Sequence, residues 1–278
     1  MHPSIKKFAA NIIPRLPRPL SYYCISRVEA RWTPAEEWQN SRRNRSVQAS
    51  KLAELGLGLR VMSGPFAGMK YVGVACGSTL PPKLLGTYEL EAHAAIEKIC
   101  AREFDTLFNL GAAEGYYAVG LAMRIPRMSV ITYDWWGPAH YWLRRIAFEN
   151  NVMDRIETRG RCEVAEFARS LEPAKQPLVV CDVEGAEDEL LDPLAAPALL
   201  RSVILVELHD MEKPGISERV RQRFETSHDI LSMDSRTRTV ADLPRALRNG
   251  NGQLVELMDE HRQSTQSWFL MTPRPASK

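Results

Sequence analysis
Paired cysteines, long apolar runs and low-complexity tracts are all missing from this 278-residue chain. The five cysteines, Cys24, Cys76, Cys100, Cys162 and Cys181, contain no CxxC pair and are odd in number. That argues against a disulfide framework or a zinc knuckle and for a reducing compartment, so a cytoplasmic protein is expected. Apolar stretches such as residues 178–181 and 203–206 fall far short of the roughly 20 residues a membrane-spanning helix needs. Lys6 and Lys7 precede an apolar stretch, but Pro14 and Arg15 cut it short with no convincing small-residue cleavage site, so the segment is expected to be retained. What remains is 45% hydrophobic and 25% charged, the balance of an ordinary globular protein. The length fits one large α/β domain or one domain with a smaller appendage.

Charge is unevenly distributed. Residues 1–60 hold 11 Lys or Arg against 4 Glu, whereas the other 218 hold 25 basic against 30 acidic residues. The N-terminal arm, taken as residues 1–58, is therefore expected to be a separate electrostatic object. With Tyr22, Tyr23, Trp32 and Trp38 it suits contact with an anionic surface, whether membrane, charged glycan or nucleic acid. It has no run of five like charges and no continuous amphipathic helix, so the plainer reading is a helical appendage packed on the main domain. Pro14, Pro17, Pro19 and Pro34 interrupt it.

Two short strand-like runs, 59–62 and 70–74, flank turn residues Ser63, Gly64, Pro65 and Gly68 and predict a hairpin. Residues 88–100 read as a lead-in helix, completing a 59–100 segment before a main domain over 101–274. Strands are then predicted at 106–110, 129–133, 156–159, 178–182 and 203–208, with helices at about 117–124, 139–150 and 163–170 between them. Another helical face carries Ile216, Val220 and Phe224, and two closing strands fall at 228–233 and 268–271. Alternating strands and helices imply an α/β fold with a parallel sheet covered on both faces. The runs at 178–182 and 203–208 are the most apolar and should be neighbours at its centre.

Ligands of such sheets bind beyond the carboxyl ends of the strands. After the first strand comes LFNLGAAEGYYAVG, where Gly111 and Gly115 bracket a tight turn into a helix. Small residues let the backbone approach a ligand, and a helix start offers free N–H groups. The second strand ends at Asp134, placed to receive two ribose hydroxyls. A dinucleotide turn needs a second glycine where this chain has Ala113, followed by Glu114. A carboxylate there repels a pyrophosphate but suits S-adenosylmethionine, which carries a sulfonium and an ammonium and no phosphate.

The order LFNLGAAEGYYAVG, Asp134, ENNV (149–152), CDVEGAE (181–187) and VELHD (206–210) resembles the FkbM-like class I methyltransferases. GPFAGMKYV (64–72) and LLGTYELE (84–91) are similar to the lead-in of small bacterial members. The resemblance covers residues 60–272, and DVEGAE is its most specific part. It implies a seven-stranded, mostly parallel Rossmann-like sheet with helices on both faces and a final antiparallel hairpin, behind an N-terminal helical and hairpin extension. It also implies S-adenosylmethionine as cofactor and O-methylation of a small molecule or saccharide. Asn109 departs from the Asp or Glu that many class I enzymes place at the end of the first strand.

On this basis Asn109, Gly111, Ala112, Glu114, Gly115 and Tyr116 are expected to line the methionine half of the cofactor, and Asp134 to hold its ribose. Cys162, between Arg161 and Glu163, falls where an adenine loop would sit, and His140, Trp135 and Trp136 are placed to flank the nucleoside. Asp182 and Glu184 end a buried strand, where an unpaired carboxylate needs a cationic or hydrogen-bonding partner. Glu207 and His209 alternate on the fifth strand and face one side. Asp182 or His209 is the candidate base for an acceptor hydroxyl, with Glu207 orienting the histidine and Glu187 supporting the following helix. No ligand spacing commits the chain to a metal. The rival readings are a nicotinamide-dependent oxidoreductase using the same turn, and a non-catalytic cofactor-binding scaffold docking through its basic arm.

Overall fold
A computed structural model of the chain describes residues 11–32, 58–249 and 252–275. Lys6, Lys7, Pro34 and Trp38 lie outside the described residues. Strands β1 (Thr106–Leu110), β2 (Ser129–Tyr133), β3 (Ile156–Arg159), β4 (Pro177–Cys181), β5 (Val203–Leu208), β6 (His228–Asp234) and β7 (Ser267–Pro273) form one sheet of order β3-β2-β1-β4-β5-β7-β6. β1 to β5 run parallel, and β7 runs antiparallel to both β5 and β6. Every residue of β4 and β5 is buried, as the apolar runs predict for central strands covered on two sides.

Strand alternation sorts the core into two layers. Leu107, Val130, Leu178, Val180 and Leu205 point to one face. They pack there against α3 (His93–Cys100), α4 (Tyr116–Arg124) and α5 (Gly137–Glu149), which follow α1 (Arg18–Trp32) and α2 (Leu80–Leu85) along the chain. Phe108, Val179, Ile204 and Val206 point to the other. They meet α6 (Val164–Leu171), the single turn α7 (Glu187–Leu190) and α8 (Ile216–Phe224), the last through the predicted face of Ile216, Val220 and Phe224.

The described part of the N-terminal arm is docked rather than separate. Helix α1 lies on α5, with Ile25 fully buried and the Tyr22 ring edge-on to Trp142 at 5.1 Å. Its Glu29 is turned inward and accepts the Trp142 indole N–H at 2.7 Å. Arg15 pairs with Asp154 and Arg18 with Glu149, both at 3.1 Å near the surface. Such pairs contribute at most about 1 kcal/mol each, so burial of Ile25 and Tyr22 holds the helix down.

The hairpin predicted over 59–62 and 70–74 shrinks to a single bridge, Arg60 to Lys70. On the turn side the Met69 N–H turns back to Phe66 O and the Gly68 N–H takes Val61 O, which ends the ladder, and two other elements take backbone groups that face away from it. Met62 N–H donates to Leu84 O, and the Asn150 side chain takes both the N–H and the C=O of Lys70, at 2.9 and 2.7 Å. The ENNV run thus contributes a clasp between α5 and the lead-in. The lead-in helix also starts later than predicted, as a 3-10 turn at Leu90–Ala92 ahead of α3, because Glu89 holds a left-handed φ of +48°. Among the described residues no helix is long and apolar enough to cross a membrane.

Candidate active site
The sheet order reverses between β1 and β4. Leu110 faces Tyr133 of β2 on one side and Cys181 of β4 on the other, so the turns leaving these strands converge over a switch point. A cavity of about 1430 Å³ opens there, bounded by the carboxyl ends of β1, β2, β4 and β5.

Gly111, Ala112, Ala113 and Tyr116 form its floor. Gly111 has φ +74°, and a Cβ on it would lie 1.6 Å from the backbone oxygen of Asp182, so only glycine lets this turn pass against the end of β4. The Ala113 N–H donates to Asp134 Oδ2 and the Trp136 N–H to Asp134 Oδ1, each at 2.8 Å. Burial pushes the Asp134 carboxyl up, and the two amides oppose that shift. Asp134 thereby ties the turn to the end of β2 while still lining the cavity. His140 donates from Nε2 to Asp134 O at 3.1 Å, which fixes the ring behind that carboxylate. No side chain caps α4, whose first residue is Tyr116.

Three residues expected on this floor lie elsewhere. Asn109 is buried within the sheet, with Nδ2 toward Val180 O at 3.5 Å and Oδ1 unpartnered. Gly115 serves helix packing, since a Cβ on it would meet Leu143 Cγ at 2.6 Å. Glu114 is fully buried beneath the turn, receiving Lys83 Nζ and Tyr71 Oη at 2.5 Å and the Cys76 N–H at 2.8 Å. Burial alone would raise its carboxyl, but the Lys83 ammonium and these hydrogen bonds hold it below the ordinary value. Its charge is therefore balanced locally and does not face a ligand, which removes the reason given above for excluding a pyrophosphate. The acidity of the cavity has a different source.

That source is the wall built by β4 and β5. Asp182 and Glu184 follow β4, Glu207 lies in β5, His209 follows it, and all four line the cavity. Glu187, fully buried at the start of α7, accepts the Nδ1–H of His209 at 2.7 Å and the Gly185 N–H at 3.1 Å. The opposite ring nitrogen, Nε2, faces Glu184 at 3.3 Å, Asp182 at 3.6 Å and Glu207 at 3.9 Å. Glu187, not Glu207, orients the histidine. Glu207 is instead gripped by Arg262, whose guanidinium also reaches Glu260 at 2.9 Å and Glu89 at 3.3 Å.

Crowded buried charges shift these groups together. Burial, reinforced by Glu89, raises Asp182 to about 7, and burial with Asp182 nearby raises Glu207 to about 8. Burial would lower His209, but the Glu187 hydrogen bond and the neighbouring carboxylates prevail and raise it to about 9. The ligand atoms of Asp182, Glu207 and His209 lie within 4.8 Å of one another. One shared cation satisfies that cluster, and a proton on Nε2 already serves as one.

At the opposite rim, Cys162 and the exposed Arg161–Glu163 pair follow β3, and burial raises the Cys162 thiol to about 12. Trp135 and Trp136 both line the cavity, Trp135 from a largely exposed position. Trp32 of α1 reaches the same rim and covers Gly137. The sequence reading missed Lys83, Arg262 and the orienting role of Glu187. Lys83 had a signal, a single charge inside the apolar run LPPKLL. Arg262 had none, because it sits in a polar loop whose path over the cavity is set by tertiary packing of Leu85, Leu243 and Met258.

No protein-family model matches the chain, and no curated protein matches it. Solved structures do show similarity. The O-methyltransferase TomG from Streptomyces achromogenes, in complex with SAM, is 15% identical with a TM-score of 0.41, over 63% of this chain and 77% of that one. An O-methyltransferase from Bacillus cereus in complex with SAH is 12% identical with a TM-score of 0.41, over 63% and 78%. TrmN from Thermus thermophilus is 12% identical with a TM-score of 0.43, over 69% and 49%.

Proposed function
We propose that this chain is an S-adenosylmethionine-dependent methyltransferase of the FkbM-like kind, acting on a hydroxyl of a small molecule or saccharide. One observation carries the reading: a single cavity at the β1/β4 switch point joins an uncapped helix start and Asp134 to a wall of carboxylates around His209. Carboxylates outnumber cations in its lining, and Lys83, Arg161 and Arg262 each already face an acid. That favours a cationic, phosphate-free nucleoside over a dinucleotide. The left-handed Ala113, where a dinucleotide turn needs glycine, points the same way.

The residues fit the cofactor. Gly111 and Ala112 offer bare backbone, Asp134 retains lone pairs for ribose hydroxyls, and Trp136 and Cys162 stand where the base would lie. Bound S-adenosylmethionine would supply a methyl group on a good leaving group. The chain must then align the acceptor and take one proton from it. His209, anchored by Glu187, keeps its own proton up to about pH 9. Asp182, raised to about 7, changes protonation in the neutral range and receives the acceptor proton. His209 positions it and Arg262 fixes Glu207 beside it. The five free cysteines support a reducing, cytoplasmic setting.

Isothermal calorimetry tests the reading. S-adenosylhomocysteine is expected to bind and NAD to leave no heat. Uptake of NAD with indifference to S-adenosylhomocysteine overturns it.

A further inference from the structure
We infer that the outward face of α1 docks the protein on an anionic membrane surface, its arginines meeting lipid phosphates and its apolar side chains entering the headgroup boundary. The inference goes beyond the proposed chemistry and does not depend on it.

Helix α1 presents two different faces. Ser21, Ile25 and Glu29 recur at every fourth residue and are buried toward α5. Opposite them Leu20, Tyr23, Arg27, Ala30 and Arg31 follow helical spacing and are all exposed, Leu20 by 50% and Tyr23 by 63%. Glu29 is the only acid in α1, and it is turned inward to the Trp142 indole. The outward stripe therefore carries positive charge with no acid of its own to offset it. Arg15 and Arg18, toward the amino end, are held by Asp154 and Glu149. Arg27 and Arg31 meet no acid and no hydrogen-bond acceptor among the described residues.

Charge selects the kind of partner. Residues 1–60 hold 11 basic residues against 4 acidic, whereas residues 61–278 hold 25 against 30, so the field of the whole chain turns α1 toward a negative surface. A nucleic acid would satisfy the guanidiniums but leave Leu20 in water. A bilayer of anionic lipid takes both kinds of side chain, because the arginines reach the phosphates while their stems and Leu20 sit at the acyl boundary. Tyr23 suits the same interface, where its ring is sheltered and its hydroxyl stays wet. Burial of Ile25 and Tyr22 already holds α1 on the body of the protein, so docking does not have to order the helix. The same helix carries Trp32 to the rim of the cavity, about 14 Å along its axis from Tyr23, and a docked chain thus holds its cavity mouth close to the bilayer.

Co-sedimentation of the full chain tests this with two kinds of vesicle, phosphatidylcholine alone and phosphatidylcholine mixed with phosphatidylglycerol at about three parts to one. The wild type should pellet with the anionic vesicles, stay in solution with the neutral ones and be released by raised salt. Arg27→Gln/Arg31→Gln should lower the partition coefficient by about tenfold to thirtyfold, and Leu20→Ser/Tyr23→Ser should lower it by about tenfold. All four positions are exposed, so both variants should keep the wild-type circular dichroism and melting temperature. A wild type that ignores anionic vesicles overturns the docking. So does partition that survives both double substitutions, which would place the contact elsewhere in the chain. Tighter binding to a single-stranded RNA oligonucleotide than to the vesicles, lost with the two arginines and indifferent to Leu20→Ser/Tyr23→Ser, would overturn it in favour of a nucleic acid. S-adenosylhomocysteine should bind all of these proteins alike, so failure of the docking leaves the proposed chemistry standing.

Discussion
Replacing Glu187 by Gln removes one negative charge from a fully buried position and leaves the shape almost unchanged. The native carboxylate accepts the Nδ1–H of His209 at 2.7 Å in the absence of solvent, and a hydrogen bond to a charged partner is worth about 1.5–3 kcal/mol. At 1.36 kcal/mol for each tenfold change in proton affinity, losing most of it should lower His209 from about 9 to roughly 7–8. Gln can still accept the Gly185 N–H, so the α7 turn should survive. The assay is an NMR pH titration of the imidazole C–H signals. The chain has six histidines, so the His209 signal is assigned by its disappearance in His209→Asn. If His209 still titrates near 9 in the Glu187 variant, Glu187 is not its anchor and the assignment of roles in this wall is wrong. The same variant separates the two candidate bases. The pH–rate profile is read against that titration: an inflection that coincides with the His209 value in both proteins identifies His209 as the proton acceptor, and one that does not coincide with it identifies Asp182.

With Asp182 as base, the methyl-transfer rate should rise as pH passes through about 7, and Asp182→Asn should lower the turnover number by about 10²–10⁴; a flat profile or unimpaired turnover rules Asp182 out. In the ligand-free protein Asp182, Glu207 and His209 all have folded-state values above their unfolded ones. Their stabilising contribution is complete below the unfolded values and is lost as pH rises through the folded ones. The melting temperature should therefore fall between about pH 5 and pH 9, and Asp182→Asn should flatten the fall; a rise over that interval contradicts the charge assignment. Gly111→Ala forces a Cβ against Asp182 O and should destabilise the chain by roughly 2–4 kcal/mol in urea unfolding, whereas near-neutral behaviour would mean the turn is free to move. Ile25→Ala should raise hydrogen exchange across 18–32 without changing protection in β4 and β5, which checks that α1 is held by apolar burial rather than by its arginines.

Strand positions were legible because each strand is a short apolar run between turn residues. β1, β2, β3 and β5 start and stop where the alternation of apolar and breaking residues says they should. The floor of the cavity was half legible. Gly111 and Asp134 follow from the rule that ligands gather beyond strand ends, and that rule holds for any sequence folding into this sheet. Glu114 misled because a sequence does not reveal which buried cation lies beneath an acid, and Lys83 comes from a helix 31 residues earlier. The proton relay misled in a related way. Alternation correctly put Glu207 and His209 on one face, but the histidine's partner comes from the turn after β4, at Glu187, 22 residues earlier, where sequence spacing carries no geometric information. The hairpin is shorter than predicted because the Met69 N–H turns back to Phe66 O instead of crossing to Val61 O, and turn composition alone does not show which acceptor that amide takes.

The insertion of β7 between β5 and β6 makes assembly of this sheet wait for its carboxyl-terminal segment. A growing polypeptide that has emerged only to residue 266 has β5 complete, with the residues of Val203–Leu208 all destined for burial, and nothing yet to saturate its outer rim. β6 has no strand to pair with until Ser267–Pro273 is made. During that interval the nascent molecule carries a bare, greasy ribbon of the type that seeds intermolecular pairing, and a nonsense mutation upstream of Trp268 would make the interval permanent. Quality control, more than lost chemistry, would then decide the fate of the shortened product.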